Sequence, residues 1–104
     1  MANASEIIGK RLYHEGCRRA FGIPGGEVLV LMEGLRKSGI DFVLTKHENC
    51  AGFMAEGGFH ADGAPGILVA TIGPGVANAV NVVANAFQDR VPMIFLTGCV
   101  DADE

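Results

Sequence analysis

The apolar run from Ile67 to Ile72 constrains the fold of this chain more than any other stretch. A strand that is apolar along its whole length has both faces covered, which is typical of a parallel sheet with helices on either side. Turns rich in glycine and proline bound this run, at residues 63–66 and 73–75. The run therefore predicts a buried strand of an α/β protein.

The rest of the chain alternates between apolar strands and helical patterns. The other predicted strands cover residues 19–23, 41–45 and 93–97, and the apolar run from Phe42 to Leu44 is expected to be buried. The predicted helices cover about residues 6–15, 27–37, 48–61 and 76–88. Because a helix separates each strand from the next, we predict a parallel sheet in a three-layer α/β sandwich. The length of 104 residues suits one small domain, over residues 1–104.

Residue spacing in the first and last helices predicts which of their faces are buried. Ser5 is the expected cap of the first helix, and its expected core residues are Ile7, Ile8 and Leu12. The polar residues of the last helix form one stripe, made of Asn78, Asn81, Asn85 and Gln88. Most of its other residues are valine and alanine, so its remaining faces are expected to be buried.

The third helix contains three interior glycines, Gly52, Gly57 and Gly58. Each glycine costs roughly 1 kcal/mol relative to alanine inside a helix. We therefore predict that another backbone or a ligand comes close to this helix.

Composition excludes several classes of function. The net charge is −4 and no basic block is present, which argues against binding to nucleic acid or to an anionic membrane. Three cysteines without a close pair, Cys17, Cys50 and Cys99, indicate a reducing cytoplasm rather than a disulfide framework. No signal peptide is visible, and no apolar stretch is long enough to span a bilayer. The apolar content of 49% suggests that some apolar surface contacts a partner.

Three predicted strand-to-helix junctions would lie along one edge of the sheet, where open α/β proteins bind ligands. They are Gly25-Gly26, Lys46-His47-Glu48 and Gly73-Pro74-Gly75. Glu48 is the leading candidate for chemistry, because a carboxylate enclosed by apolar neighbours can hold a proton at neutral pH and pass it on. The alternative is that Glu48 only occupies the first turn of a helix, where the macrodipole favours a negative charge.

Other kinds of site have less support. The sequence contains neither GxGxxG nor GxxxxGK[ST], so it does not predict a nucleotide-binding loop. A metal site is not expected from His14, His47 and His60, because their spacing puts no two of them on one helix face. Cys50 is a conceivable nucleophile, but its neighbours favour a small buried side chain.

Four segments occur in an order and spacing that resemble a known family. They cover residues 21–26, residues 46–49 with 55–57, residues 73–78, and residues 91–98. From about Ser5 to Val100, the chain resembles the amino-terminal pyrimidine-binding domain of thiamine-diphosphate enzymes of the acetolactate synthase group. The resemblance implies the thiamine-diphosphate-binding fold, truncated after the fourth strand, because the domain of this family usually continues beyond that strand.

The resemblance also implies roles for individual residues. Glu48 matches the glutamate that hydrogen-bonds the aminopyrimidine ring of the cofactor and supplies the proton that activates it. Three other residues match positions that line the pyrimidine pocket: Gly25, Pro74 and Asn78. The implied substrate is a 2-oxo acid, which such enzymes decarboxylate or ligate. The helix from Glu48 to Ala61 matches a surface that packs at a dimer interface, so a homo-oligomer is expected.

Magnesium and the diphosphate have no expected ligands in this chain. The family holds both with a Gly-Asp-Gly pattern followed by a distal asparagine, and this sequence lacks that pattern. The pattern belongs to a separate carboxyl-terminal domain. The resemblance therefore implies that this chain is one piece of a larger enzyme, inactive by itself, that needs a diphosphate-binding domain.

Two departures from the synthase pattern leave the substrate open. Ile23 stands where the synthases have tyrosine, and Cys99 stands where they have glutamine. Both positions face the reacting cofactor in the family, so the choice between ligation and decarboxylation also stays open. The remaining alternatives are a non-catalytic binding or regulatory module with the same fold, or a Rossmann-like nucleotide binder.

Overall fold

A computed structural model describes residues 2–99 of the chain. Its helices are α1 (Ala4–His14), α2 (Leu29–Lys37), α3 (Glu48–Asp62) and α4 (Pro74–Asp89). Its strands are β1 (Arg19–Gly22), β2 (Asp41–Leu44), β3 (Gly66–Ala70) and β4 (Met93–Thr97). A single 3₁₀ turn, Gly26–Val28, leads into α2. Val100, where the resemblance ends, and the following residues to Glu104 lie outside the described residues.

The four strands form one parallel sheet in the order β2-β1-β3-β4. In the centre of the sheet, Ala20 of β1 is in register with Phe42 on one side and with Ile67 on the other. The chain runs from β1 outward to β2 and then returns across β1 to β3. Crossover connections between parallel strands are almost always right-handed. The β1–β2 and β2–β3 connections run in opposite directions along the sheet, so their helices lie on opposite faces.

Each face of the sheet is covered by two helices, which confirms the predicted three-layer α/β sandwich. The helices α1 and α2 pack on one core, whose buried residues are Cys17, Ala20, Val28, Leu35, Ile40, Ile67 and Val69. The helices α3 and α4 pack on the other core, whose buried residues are Phe21, Ala51, Ala55, Leu68, Ala79 and Val82. Strand β3 is buried along its whole length, as its apolar sequence predicts.

The predicted packing of α1 was wrong at three positions. Ile7 is 60% exposed and Ile8 is also exposed, and the buried residues of the helix are Ser5 and Gly9. The side chain of Asn3, not that of Ser5, caps the helix by accepting a hydrogen bond from the backbone of Glu6 at 3.0 Å. These small residues are buried because α1 crosses α2 closely, and Ile7 and Ile8 point outward, whereas Leu12 packs against the core as predicted.

Two further predictions of burial were also wrong. Leu44 is exposed because β2 is an edge strand of the sheet. On α4, Val80 and Phe87 are exposed, and Phe87 is 85% exposed. Three polar residues of α4, Asn78, Asn81 and Asn85, form hydrogen bonds with α3, and the apolar residues on the opposite side of that helix lie at the surface. Within residues 2–99, no helix has the length and apolar character needed to cross a bilayer.

Candidate functional site

The sheet has its topological switch point between the carboxyl ends of β1 and β3. These two strands are neighbours, but the chain leaves β1 toward one edge of the sheet and β3 toward the other. In open α/β sheets, the loops that follow such a strand pair diverge and leave a crevice in which ligands bind. The predicted junctions after β1 and β3 lie at this crevice, and the junction after β2 lies at the same edge of the sheet.

Glycines allow the loops at this edge to approach one another closely. A Cβ atom at Gly25 would overlap the side chain of Thr71, in the loop after β3. Gly73 has φ +79° and ψ −119°, which a residue with a side chain rarely adopts, and it places Pro74 at the first position of α4. Proline suits that position because it has no N–H group that needs a partner there.

Glu48 is the first residue of α3, and its side chain is buried against α4. The residue is 6% exposed, and Nδ2 of Asn78 donates a hydrogen bond to its Oε2 at 3.3 Å. Within the described residues, no group donates to Oε1, and no fully buried side-chain oxygen or nitrogen lacks a partner. Oε1 therefore keeps contact with solvent. The structure thus brings together two predicted site residues, and it leaves one carboxylate oxygen available to a ligand.

The backbone around Glu48 is held by its neighbour in the sequence. His47 caps α3, because its Nδ1 accepts a hydrogen bond from the backbone N–H of Asn49 at 3.0 Å. The hydroxyl of Thr45 donates to the carbonyl oxygen of His47 at 3.2 Å. His47 therefore fixes the start of the helix that carries Glu48, and its Nδ1 is used for that purpose.

A second buried carboxylate lies two helical turns further along α3. Glu56 is 8% exposed, and both of its oxygens accept hydrogen bonds from Nδ2 of Asn85, at 3.0 and 3.2 Å. Between the two buried pairs, Gly52 lies against the side chain of Val82 on α4. The two helices thus meet through an apolar contact with a glutamate–asparagine pair on either side of it.

Glu27 joins the loops that follow β1 and β3. Its Oε1 accepts hydrogen bonds from the hydroxyl of Thr71 and from the backbone N–H of Ile72. Both donors lower the pKa of the Glu27 carboxyl below its ordinary value, and the hydroxyl of Thr71 has the larger effect. A carboxylate that is ionised at neutral pH therefore stands at the edge of the crevice.

The remaining predicted residues are placed as follows. Gly25 and Pro74 lie in the loops after β1 and β3, on the two sides of the crevice, and neither shares a hydrogen bond with Glu48. Cys50, which was expected to be buried, is exposed on the outer side of α3. Among residues 2–99, no group of three or more histidine, cysteine, aspartate or glutamate side chains could hold a metal ion.

Sequence reasoning missed Glu27, Thr71 and the pair formed by Glu56 and Asn85. The spacing of the buried pairs contains a signal, because Glu56 follows Glu48 by eight residues and Asn85 follows Asn78 by seven. Two helical turns separate the members in each case, so both pairs face the same contact. For Glu27, the signal is a charged residue directly after two glycines at the carboxyl end of a strand.

One family model and several known proteins are similar to this chain. A family model described as "Thiamine pyrophosphate enzyme, N-terminal TPP binding domain" matches residues 2–104. The chain is 39% identical over 101 residues to the acetolactate synthase isozyme 3 large subunit of Escherichia coli, which covers 96% of this chain and 18% of that protein. It is 41% identical over 96 residues to the mitochondrial acetolactate synthase catalytic subunit of Saccharomyces cerevisiae, which covers 91% of this chain and 14% of that protein.

A relative of a different kind is similar to the same degree. The chain is 40% identical over 94 residues to the probable 2-ketoarginine decarboxylase AruI of Pseudomonas aeruginosa, which covers 90% of this chain and 17% of that protein. The chain spans less than a fifth of the length of each of these three relatives.

Proposed function

This chain belongs to the thiamine pyrophosphate enzyme family, as its N-terminal TPP binding domain, and we propose that residues 1–104 bind the pyrimidine part of thiamine diphosphate within a larger 2-oxo acid decarboxylase or carboligase. The observation that carries this proposal is the buried carboxylate of Glu48. Asn78 holds one of its oxygens and leaves the other open at the carboxyl edge of the sheet.

The residues at this edge suit an aminopyrimidine ring. Such a ring is flat and partly apolar, and it carries nitrogens that exchange hydrogen bonds with a carboxyl group. The loops after β1 and β3 provide Gly25 and Pro74, which carry no charge and no long side chain. Among residues 2–99, Glu48 provides the one buried carboxyl group at this edge. When bound, thiamine diphosphate supplies a carbon centre that adds to the carbonyl of a 2-oxo acid and accepts the electrons released on decarboxylation.

In this proposal, the protein residues orient the ring and move one proton. Glu48 holds a proton on Oε1 and donates it to a ring nitrogen of the pyrimidine. Asn78 keeps the carboxyl group in one orientation, because its amide donates to Oε2. Gly25 and Pro74 line the two sides of the ring.

The diphosphate and magnesium are assigned to a separate domain. Relatives five or more times longer than this chain have room for such a domain, and the net charge of −4 disfavours unaided capture of the anionic diphosphate. We further propose that the complete enzyme is a homo-oligomer that forms contacts through α3. The reduced cysteines support a cytoplasmic location.

The reaction is proposed only at the level of 2-oxo acid chemistry. The names of the relatives include both acetolactate synthases and a decarboxylase of 2-ketoarginine, at similar identity to this chain. A product assay with pyruvate and with a guanidino 2-oxo acid distinguishes ligation from decarboxylation. A non-catalytic module with this fold is the alternative, and it predicts neither product.

The test is Glu48→Gln in the complete enzyme. Glutamine keeps the shape of the side chain but cannot supply the proton, so turnover should fall by about a hundredfold to ten-thousandfold with little loss of stability. The direct measurement is deuterium exchange at C2 of the bound cofactor. Glu33→Gln is the matched control, because Glu33 is exposed on α2 and, within the part of the chain that the structure describes, bonds only Arg36. Equal exchange rates in the Glu48 variant and the wild type would overturn the proposal.

The isolated chain provides a second test. Residues 1–104 should bind thiamine diphosphate and magnesium weakly or not at all, because the diphosphate lacks a partner in this chain. Calorimetry on the isolated chain measures this affinity, and addition of the diphosphate-binding domain should restore binding. Micromolar affinity without that domain would show that the site is misplaced.

A further inference from the structure

We infer that Glu27 is a positioning residue, which ties the loop after β1 to the loop after β3 and thereby holds the two sides of the cofactor crevice at a fixed separation. This inference rests on the proposed function, because the separation of the loops matters to catalysis only if a ring binds between them. It concerns a residue for which the family resemblance implies no role.

The contacts of Glu27 occur where the sheet can no longer hold the two loops together. The register between β1 and β3 ends at the pair formed by Gly22 and Val69. Beyond that pair, Oε1 of Glu27 accepts hydrogen bonds from the side chain of Thr71 and the backbone of Ile72. No other side chain in the described residues forms a hydrogen bond between these two loops.

Packing holds the Glu27 side chain in this position. A Cβ atom at Gly98, in the segment after β4, would overlap Cγ of Glu27 and would lie 3.1 Å from Cβ and 3.2 Å from Cδ. On the other side, the side chain of Thr71 lies against Gly25, where a Cβ atom would overlap it. Glu27 thus lies among three segments that leave the sheet at the same edge.

The charge of Glu27 strengthens the contact. Thr71 and Ile72 both stabilise the ionised carboxylate, and for this reason the pKa of Glu27 is low. Hydrogen bonds to an ionised acceptor are stronger than those between neutral groups. The contact is close to both sides of the crevice in the sequence. Gly25 lies two residues before Glu27, and Pro74 lies three residues after Thr71.

The experiment combines substitutions on both sides of the contact in the complete enzyme. Glu27→Ala removes the acceptor. Glu27→Gln keeps the shape of the side chain and offers one neutral oxygen as acceptor. Thr71→Val removes the hydroxyl donor and keeps the size of the side chain. We expect Glu27→Ala to raise the Kd of thiamine diphosphate between about tenfold and a hundredfold, with kcat near that of the wild type once cofactor is saturating. Glu27→Gln should recover most of this loss. Glu33→Gln, on the helix α2 that follows Glu27, is the matched control and should bind as the wild type does.

A double-mutant cycle and a cofactor-free measurement separate positioning from general destabilisation. Thr71→Val should add little to the loss already caused by Glu27→Ala, because both substitutions break the same contact. In the protein without cofactor, hydrogen exchange of the Ile72 amide should be at least about tenfold faster in Glu27→Ala than in Glu33→Gln. Should Glu27→Ala fail to fold, the cycle of Glu27→Met with Thr71→Val decides in the same way, because methionine keeps the length of the side chain and removes the carboxylate acceptor.

The outcomes distinguish this inference from the proposed function. Additive effects of Glu27 and Thr71, or an Ile72 amide that exchanges at the wild-type rate, would overturn the role of Glu27. Unchanged C2 exchange in Glu48→Gln would instead overturn the proposed function, whatever the Glu27 variants do. Loss of exchange in Glu48→Gln together with normal cofactor affinity in Glu27→Ala would leave the proposed function standing and remove only this inference.

Discussion

On one face of the sheet, α1 meets α2 where Gly34 lies against the backbone of Ser5, and on the other face, α3 meets α4 where Gly52 lies against Val82. Both helix pairs use a glycine to come close, but they differ in the groups around it. Around Gly34, the charged pair of Lys37 and Glu6 lies at the rim, at 3.1 Å. Around Gly52, buried carboxylates lie inside the contact.

The two layers therefore differ in the free energy of their helix contacts, because, among residues 2–99, only the α3–α4 layer buries charged groups. A buried carboxylate destabilises a helix contact unless hydrogen bonds compensate for its lost hydration, and apolar residues in its place would be as stable or more so. The α3–α4 layer nevertheless keeps Glu48 and Glu56, each held by an asparagine of α4. We propose that function maintains Glu48 in this layer, whereas the α1–α2 layer holds no buried carboxylate among the described residues.

The largest effects are expected from a single methyl group at the two glycine contacts. A Cβ atom at Gly34 would lie 2.5 Å from the carbonyl carbon of Ser5, and backbone cannot rotate away. Gly34→Ala should therefore destabilise the fold by about 3 kcal/mol. Gly52→Ala should cost about 1–2 kcal/mol, because it meets only the side chain of Val82. Denaturant unfolding measures both values.

Gly57→Ala is the matched control for these two variants. No atom lies within 4 Å of a Cβ at this position of α3, so alanine should stabilise the helix by up to about 1 kcal/mol. A destabilised Gly57 variant, or a Gly52 variant more destabilised than the Gly34 variant, would contradict this account of the two contacts.

The second prediction breaks the polar part of the α3–α4 contact. Asn85→Ala removes the donor to both oxygens of Glu56 and should destabilise the fold by about 2 kcal/mol, because the buried carboxylate is left without a partner. Asn81→Ala is the control, since Asn81 is exposed and makes one bond of 3.3 Å, to Asn49. Equal losses in both variants would show that Glu56 does not depend on Asn85.

The sequence allowed the fold to be predicted better than the packing of its helices. Strands and helices were identified because apolar runs alternate with helical patterns and glycine or proline marks their ends. The exposure of Ile7 was not predictable in this way, because hydrophobicity does not reveal that Ser5 and Gly9 let α1 approach α2. Small residues that permit a close contact leave no periodic apolar signal.

The candidate site was predictable where one residue type at one junction pointed to chemistry. Glu48 and Asn78 were both identified, and the structure places their side chains in contact. Sequence patterning predicts for Glu27 only the start of a helix, because its partner Thr71 is 44 residues away in the sequence. Contacts between loops depend on strand order, and the order β2-β1-β3-β4 was not predicted.

The third prediction concerns pH and the α1–α2 layer. The thiol of Cys17 is buried in this core and donates a hydrogen bond to the carbonyl oxygen of Pro65 at 3.3 Å. Burial raises the pKa of the Cys17 thiol. Its contribution to stability is therefore fully present below the pKa of an unfolded cysteine, roughly 8.5, and is lost as pH rises through the higher folded pKa.

Comparison of the wild type with Cys17→Ala checks the direction of this pH dependence. The wild type should be more stable by about 1 kcal/mol at pH 7, and the difference should shrink as pH rises above about 8.5. Unfolding curves at several pH values measure the difference. A gap that widens with rising pH would show that the thiolate, rather than the thiol, is favoured in this core.

The smallest effects on stability are expected at the outer surfaces of the two layers, where the layers should nevertheless differ in function. Phe53 on α3 is 45% exposed, and Ile7 on α1 is 60% exposed. Phe53→Ser and Ile7→Ser should each change the free energy of unfolding by no more than about 0.5 kcal/mol, because neither side chain is part of a core. Only Phe53→Ser should weaken self-association, since we propose that α3 forms the subunit contact.

Sedimentation velocity of the complete enzyme at several concentrations distinguishes the two surfaces. Gly52 is unsuitable for this purpose, because its neighbour is Val82 of the same chain and a substitution there disturbs the fold first. Phe53 lies beside Met54, which is 44% exposed, and together they form an apolar surface on α3. If Ile7→Ser weakens association and Phe53→Ser does not, the subunit contact lies on the α1–α2 layer, and the assignment of α3 to that contact is wrong.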